Sequence, residues 1–150
     1  AFNAMRRTEG QALEQDLRSR ADAIENLVER VEQQSPVTLA AYRGRLEAKM
    51  REVLENTNLD DTRILMEAAL YADKIAVDEE TVRLRSHLSQ MDSMLTSGGP
   101  VGRKLDFLLQ EMNREANTIG SKANDTEQAR TVVEIKAELE KIREQIQNVE

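Results

Sequence analysis

The sequence predicts an all-α chain: a long helical hairpin followed by a C-terminal helical domain with coiled-coil-like packing. Three observations carry this. Apolar residues recur at intervals of three and four along most of the chain, the period of one helix face. Only two Pro and six Gly interrupt 150 residues, so long segments run without a breaker. Aromatics make up 3% and charged residues 33%, which suits long helices around a thin core better than a compact globule.

Residues 1 to 34 read as a first helix, with Leu13, Leu17, Ile24, Val28 and Val31 as its apolar stripe. Ser35-Pro36 is expected to end it, because an interior proline removes a backbone donor and crowds the preceding turn. Pro36 suits the first turn of a second helix, marked by Leu39, Tyr42, Leu46, Met50 and Val53 and running to about Glu55. These two helices are expected to pair as an antiparallel hairpin. Asn56-Thr57-Asn58 reads as a turn, and Asp60 or Asp61 can cap a third helix carrying Ile64, Leu65, Ala68, Tyr71 and Ile75. Asp78 is the expected N-cap of a fourth, with Leu84, Leu88, Met91 and Leu95 on its apolar face. Gly98-Gly99-Pro100 is a loop. A fifth helix follows, and Ala123-Asn124-Asp125-Thr126 is the last break. Val132, Ile135, Leu139, Ile142, Ile146 and Val149 then alternate by three and four as a heptad seam. The organisation is a hairpin and connector over residues 1–77 and a helical domain over 78–150.

The net charge of −7 argues against a broadly basic nucleic-acid surface. Residues 101–123 differ locally, with Arg103, Lys104, Arg114 and Lys122 against Asp106, Glu111 and Glu115. With no Cys, disulfides and thiolate-bound zinc are excluded. No apolar run approaches the roughly 18 residues of a membrane span.

The fifth helix is the most informative segment. Its apolar face is Leu105, Leu108, Leu109, Met112, Ala116 and Ile119. Asn113 and Asn117 sit one turn apart in mid-helix, where Asn is a poor helix former. Glu111 and Glu115 form a second pair at the same spacing, with Arg114 between them. The carboxylates either pair with neighbouring cations on the surface or bind a hard divalent ion, which prefers oxygen ligands. Arg103, Lys104 and Arg114 either pair with Asp106 and Glu111 or contact phosphate, for which Arg offers a bidentate fork. The two asparagines suit a buried polar network, a substrate or a neighbouring subunit. Phe107 interrupts a polar stripe and either packs in the core, the favoured reading, or stacks on a nucleic-acid base. His87, the only histidine, shares a stripe with Glu80, Arg83 and Gln90. It is either the edge of an apolar face or a metal ligand and acid–base group.

The segment from Gly102 to Lys122 resembles the C-terminal signature of the YicC/YloC family of bacterial endoribonucleases. The matching residues are Gly102-Arg103-Lys104-Leu105-Asp106-Phe107, then Gln110, Glu111, Asn113, Arg114, Glu115, Asn117 and Thr118, then Ser121-Lys122. Glu79-Glu80, Arg83-Leu84, Ser86-His87, the early Met5-Arg6-Arg7-Thr8-Glu9-Gly10 and the ending from Ile142 to Glu150 are similar to further family motifs. Ala76 stands where the family often has Asp. The resemblance implies a cytoplasmic bacterial nuclease of which this chain is the C-terminal half. It implies a Mn²⁺- or Mg²⁺-dependent endoribonuclease with Glu80, His87, Glu111 and Glu115 as metal ligands. Of these, His87, Glu111 and Glu115 would be catalytic. Arg103, Lys104, Arg114 and Lys122 would hold RNA phosphates, with Asp106, Gln110, Asn113 and Asn117 in support. RNA and, for the full-length protein, further copies of itself as a hexamer are the implied partners. Composition alone favours a different class, a non-enzymatic helical scaffold that oligomerises through its heptads.

Overall fold

The computed structural model describes residues 2–53, 61–97, 102–123 and 125–149. The described elements are five helices: α1 (Phe2–Val53), α2 (Asp61–Ile75), α3 (Asp78–Ser97), α4 (Gly102–Lys122) and α5 (Thr126–Val149). No strand occurs among the described residues, so the chain is all-α. The expected Asn56-Thr57-Asn58 turn, the Asp60 cap and the Gly98-Gly99-Pro100 loop lie outside the described residues.

The N-terminal part of α1 joins α3, α4 and α5 in a four-helix bundle. α1 packs on α3 and α5, and α4 packs on α3 and α5. One continuous core fills it: Leu17, Ile24, Leu27, Val28 and Val31 of α1 meet Leu84, Leu88 and Met91 of α3, the apolar stripe of α4, and Val132, Ile135, Leu139, Ile142 and Ile146 of α5. Burying each such side chain stabilises the fold by about 1.5–3 kcal/mol before chain entropy is subtracted. This core draws on both sides of residue 78. Leu17, Ile24, Val28 and Val31 of α1 and Val132, Ile135, Leu139, Ile142 and Ile146 of α5 are buried inside the chain, so these positions are not free seams for a second copy. Gly120 is where α4 and α5 come close: a Cβ there would meet Val132 Cγ1 at 3.2 Å.

The expected break at Ser35-Pro36 does not occur. Pro36 lies inside the 52-residue α1, so residues 2–34 and 36–53 form one helix and not the expected hairpin. An interior proline costs about 3 kcal/mol, and tertiary contacts around it offset this. Gln34 Nε2 donates to Thr131 Oγ1 at 3.3 Å, and Gln128 Nε2 donates to Ser35 Oγ at 3.3 Å. Thr38 Oγ1 lies 2.7 Å from Asp125 Oδ2. These bonds fix the α1 segment around Pro36 to the start of α5. Pro36 itself is exposed, which lets water reach the backbone near its missing donor. The hairpin that does form pairs the end of α1 with α2, where the Tyr42 and Tyr71 rings stack with centroids 3.6 Å apart.

Two helix starts follow their local chemistry. Asp125 caps α5: its Oδ1 accepts the Gln128 N–H at 2.9 Å, and its carbonyl accepts the Ala129 N–H. Asp78 is not the N-cap expected of it. The first helical bond of α3 runs from Thr81 N–H to the Val77 carbonyl, which places Asp78 one residue inside the helix. Asp78, Glu79 and Glu80 together supply negative charge to the first turn, where the helix dipole favours it.

Candidate functional site

The sequence-predicted residues sort onto three sides of α4. The inner side is the apolar stripe, fully buried at Met112, Ala116 and Ile119. The side facing α3 is a seam of charges. The outer side is polar and exposed.

Glu80 begins the seam. Its side chain is 4% exposed, yet its Oε1 lies 2.9 Å from Lys122 Nζ, and Lys122 also donates to the Ala76 carbonyl at 2.9 Å. One turn on, Arg83 donates from Nε to Glu115 Oε1 at 2.8 Å, and its terminal nitrogens approach Glu79 and Glu80 at 3.7 Å. Glu115 is 8% exposed in its side chain. The bond from Glu115 raises the Arg83 pKa further, against the opposing effect of desolvation. Because Glu80 meets Lys122 while Arg83 meets Glu115, α3 and α4 run antiparallel, with these pairs mirrored about residues 101 and 99. That register places the His87 level of α3 near Glu111 on α4.

Two atoms of the seam are enclosed without a hydrogen-bond partner: Glu80 Oε2 and His87 Nδ1. Both belong to the same face of α3. Buried polar atoms left this way cost about 1–3 kcal/mol each, so they mark strained or functional positions.

The four expected metal ligands do not converge. Among the described residues, no group of three or more His, Asp or Glu side chains could hold a metal ion. The physical reason is charge compensation: Glu80 and Glu115 are each neutralised by a cation of the opposite helix. Glu111 stays apart, partly exposed, with Arg114 only at 4.0 Å. Among the described residues, Glu80, His87, Glu111 and Glu115 therefore do not form one shared metal cage. Lys122, expected on RNA phosphate, is instead tied inward by Glu80 and the Ala76 carbonyl.

The outer side carries the remaining candidates. Arg103, Lys104, Gln110, Asn113, Arg114 and Asn117 are exposed. Arg103 and Lys104 make no ion pair with any described residue. Asp106 Oδ2 accepts a long 3.4 Å bond from Gln110 Nε2. Asn113 borders a groove of about 370 Å³ between α4 and α5, with Asp106, Gln110, Lys136 and Arg143. Phe107 is not in the core: it is 60% exposed on this face.

Sequence reasoning gave Arg83 no role, although its spacing from Glu80 already made an ion pair available. It also misplaced Phe107. Counting from Arg103, Phe107, Gln110, Arg114 and Asn117 fall at four, seven, eleven and fourteen, a second stripe opposite the apolar one.

With this geometry in place, comparison with known proteins is informative. The chain is 46% identical over 147 residues to a protein of Clostridioides difficile (strain 630) named probable endoribonuclease YicC, covering 97% of this chain and 50% of that protein. It is 41% identical over 149 residues to the probable endoribonuclease YicC of Haemophilus influenzae (strain ATCC 51907 / DSM 11121 / KW20 / Rd), covering 99% of this chain and 51% of the relative. The chain thus spans about half the length of the curated relatives it matches. Residues 31–150 match the family described as endoribonuclease YicC-like, C-terminal, and the chain belongs to that family.

Proposed function

We propose that this chain is part of an endoribonuclease and that α4 is the element that meets RNA. The observation that carries the reading is the outer face of α4. In a chain with an acidic excess of seven charges, Arg103, Phe107, Gln110, Arg114 and Asn117 share one exposed stripe without a carboxylate, flanked by the half-buried Asp106 and Glu111. Arg103 and Lys104 make no ion pair with a described residue, and Arg114 approaches Glu111 at 4.0 Å. A polyanion is attracted to such a face even when the whole chain is acidic. The names of the two relatives support the same reading.

In this reading Arg103, Lys104 and Arg114 engage phosphate oxygens, and Gln110, Asn113 and Asn117 offer amide contacts to bases or sugars. Glu111 and His87 stand at the boundary between that face and the buried seam, and we assign them to the cleavage chemistry. Glu80 and Glu115 hold the α3–α4 seam in register through Lys122 and Arg83. Dependence on Mn²⁺ or Mg²⁺ belongs to the proposal as a property of the whole protein, because the described residues of this chain do not assemble a cage by themselves. For the same reason the 150-residue chain alone is expected to cleave RNA weakly or not at all.

The test is cleavage of mixed-sequence RNA by the whole protein, with Mn²⁺ supplied and with excess chelator. Cleavage that the chelator abolishes is the expected result. Intact RNA under both conditions would overturn the nuclease reading and favour a helical assembly module. That second reading has its own support in α2, where Leu65, Met66 and Leu70 are more than half exposed on one helix.

A further inference from the structure

We propose that Phe107 is a stacking platform for an unpaired RNA base, so that the outer face of α4 selects single-stranded over duplex RNA. This deepens the reading above and rests on it. A large aromatic at 60% exposure is unusual in a chain with only two Phe, two Tyr and no Trp. Surface hydrophobics scattered singly need no explanation, but this one is not isolated from chemistry. Arg103 lies one turn before it and Arg114 two turns after it on the same stripe, about 16 Å apart by helical rise. Gln110 stands between Phe107 and Arg114, and Asn117 follows.

The composition of the stripe discriminates among occupants. A protein partner with an apolar surface would be met by more than one apolar side chain, whereas here the residues one turn away on either side of the ring are Arg103, Lys104, Gln110 and Glu111, all polar or charged. A bare phosphate or a small anion would use the arginines and leave the ring idle. A nucleic-acid strand uses all three kinds of group: phosphates on arginine, a base face on phenylalanine, base edges or sugar hydroxyls on the amides. Stacking requires the base to be unpaired and swung out, because duplex bases already stack on one another. A-form RNA also exposes few base faces to a helix lying on its surface. The stripe therefore fits a single strand, or the splayed bases of a loop, laid along α4.

Because the chain has no Trp, Phe107→Trp gives one fluorescent reporter at the proposed platform if the rest of the protein carries no other Trp, and replacing any others keeps that condition. In the whole protein, titration with an oligoadenylate single strand is expected to quench this indole, and a blunt duplex of equal length to quench it far less. Phe107→Ala should weaken single-strand binding by about five- to a hundredfold, the range for losing one stacked base, with duplex binding changed less than twofold. Phe107→Tyr should restore most of the loss, and Phe107→Leu should not. Equal single-strand affinity for wild type and Phe107→Ala would overturn the platform while leaving the nuclease reading intact. Equal quenching by single strand and duplex would also overturn it. A wild-type protein that binds neither RNA overturns both. If Phe107→Ala alters sedimentation and leaves RNA affinity unchanged, the ring belongs to a protein interface and the platform fails.

Discussion

Lys122, in the last turn of α4, places its ammonium 2.9 Å from the Oε1 of Glu80, in the first turn of α3. The carboxylate is nearly fully enclosed, while the lysine side chain is 29% exposed. Such a pair is asymmetric. Removing the lysine strands a charge in a dry site, whereas removing the carboxylate leaves an ammonium that can still reach water.

Lys122→Met is therefore expected to destabilise the chain by about 3 kcal/mol, the low end for breaking a buried pair. Glu80→Gln should cost less, and the double variant Glu80→Leu with Lys122→Met should recover much of the loss. Urea denaturation followed by helical circular dichroism measures all three. If Lys122→Met proves neutral, Glu80 is not held by that bond.

Asp125 links two elements and carries a pH dependence. Its pKa is lowered from the ordinary 3.8, first by the Thr38 hydroxyl and then by the Gln128 N–H, with burial opposing. A carboxylate with a depressed folded pKa stabilises the fold above its unfolded value, and that contribution disappears as pH falls through the folded value. Asp125→Ala is expected to cost about 1–2 kcal/mol near neutral pH, as for loss of an N-cap. Asp125→Asn should retain most of the cap. The gap between wild type and Asp125→Ala should narrow as pH drops below about 4. Thermal melts at pH 7 and pH 3 check this, and a gap that widens in acid would count against the assignment.

Sequence made the helix faces legible because burial repeats with the helix period: Leu105, Leu108, Leu109, Met112, Ala116 and Ile119 were named from spacing, and all are buried. Pro36 was misread because its tolerance depends on Asp125, Gln128 and Thr131, roughly ninety residues away. The pairing of Glu80 with Lys122 was equally invisible: both residues were visible as charges, but their partnership follows from the α3–α4 register across 42 positions. Phe107 interrupts a polar stripe in the sequence, where burial of a large aromatic is the favoured reading, but its spacing with Arg103, Gln110 and Arg114 turns it outward. The candidate site was legible as a set of residues and not as a constellation.

Self-association is expected to run through α2. The stripe residues from Leu17 to Val31 of α1 and from Val132 to Ile146 of α5 are buried within the bundle, while Leu65, Met66 and Leu70 are 51%, 61% and 63% exposed. An exposed apolar face of this kind favours contact with another surface. Leu70→Glu should therefore lower the assembly state in sedimentation velocity without reducing helicity. An unchanged sedimentation profile would show that α2 is not the contact.

Glu111→Gln and His87→Ala address the chemistry most directly. Glu111 makes only a 4.0 Å approach to Arg114 and is partly exposed, so replacing it should alter stability by less than about 0.5 kcal/mol. Glu115, bonded to Arg83 and enclosed, lacks that advantage: Glu115→Gln would weaken the α3–α4 seam and confound any loss of activity. His87 is half-buried with its Nδ1 unpartnered, so His87→Ala removes no hydrogen bond at that atom. Each variant in the whole protein is expected to lower Mn²⁺-supported RNA cleavage by more than tenfold, about 1.4 kcal/mol or more of transition-state stabilisation. RNA affinity should stay within about threefold, because the phosphate contacts assigned to Arg103, Lys104 and Arg114 remain. Single-turnover cleavage together with equilibrium RNA binding separates the two effects. Wild-type cleavage by both variants would remove Glu111 and His87 from the reaction and leave α4 as an RNA-binding surface alone.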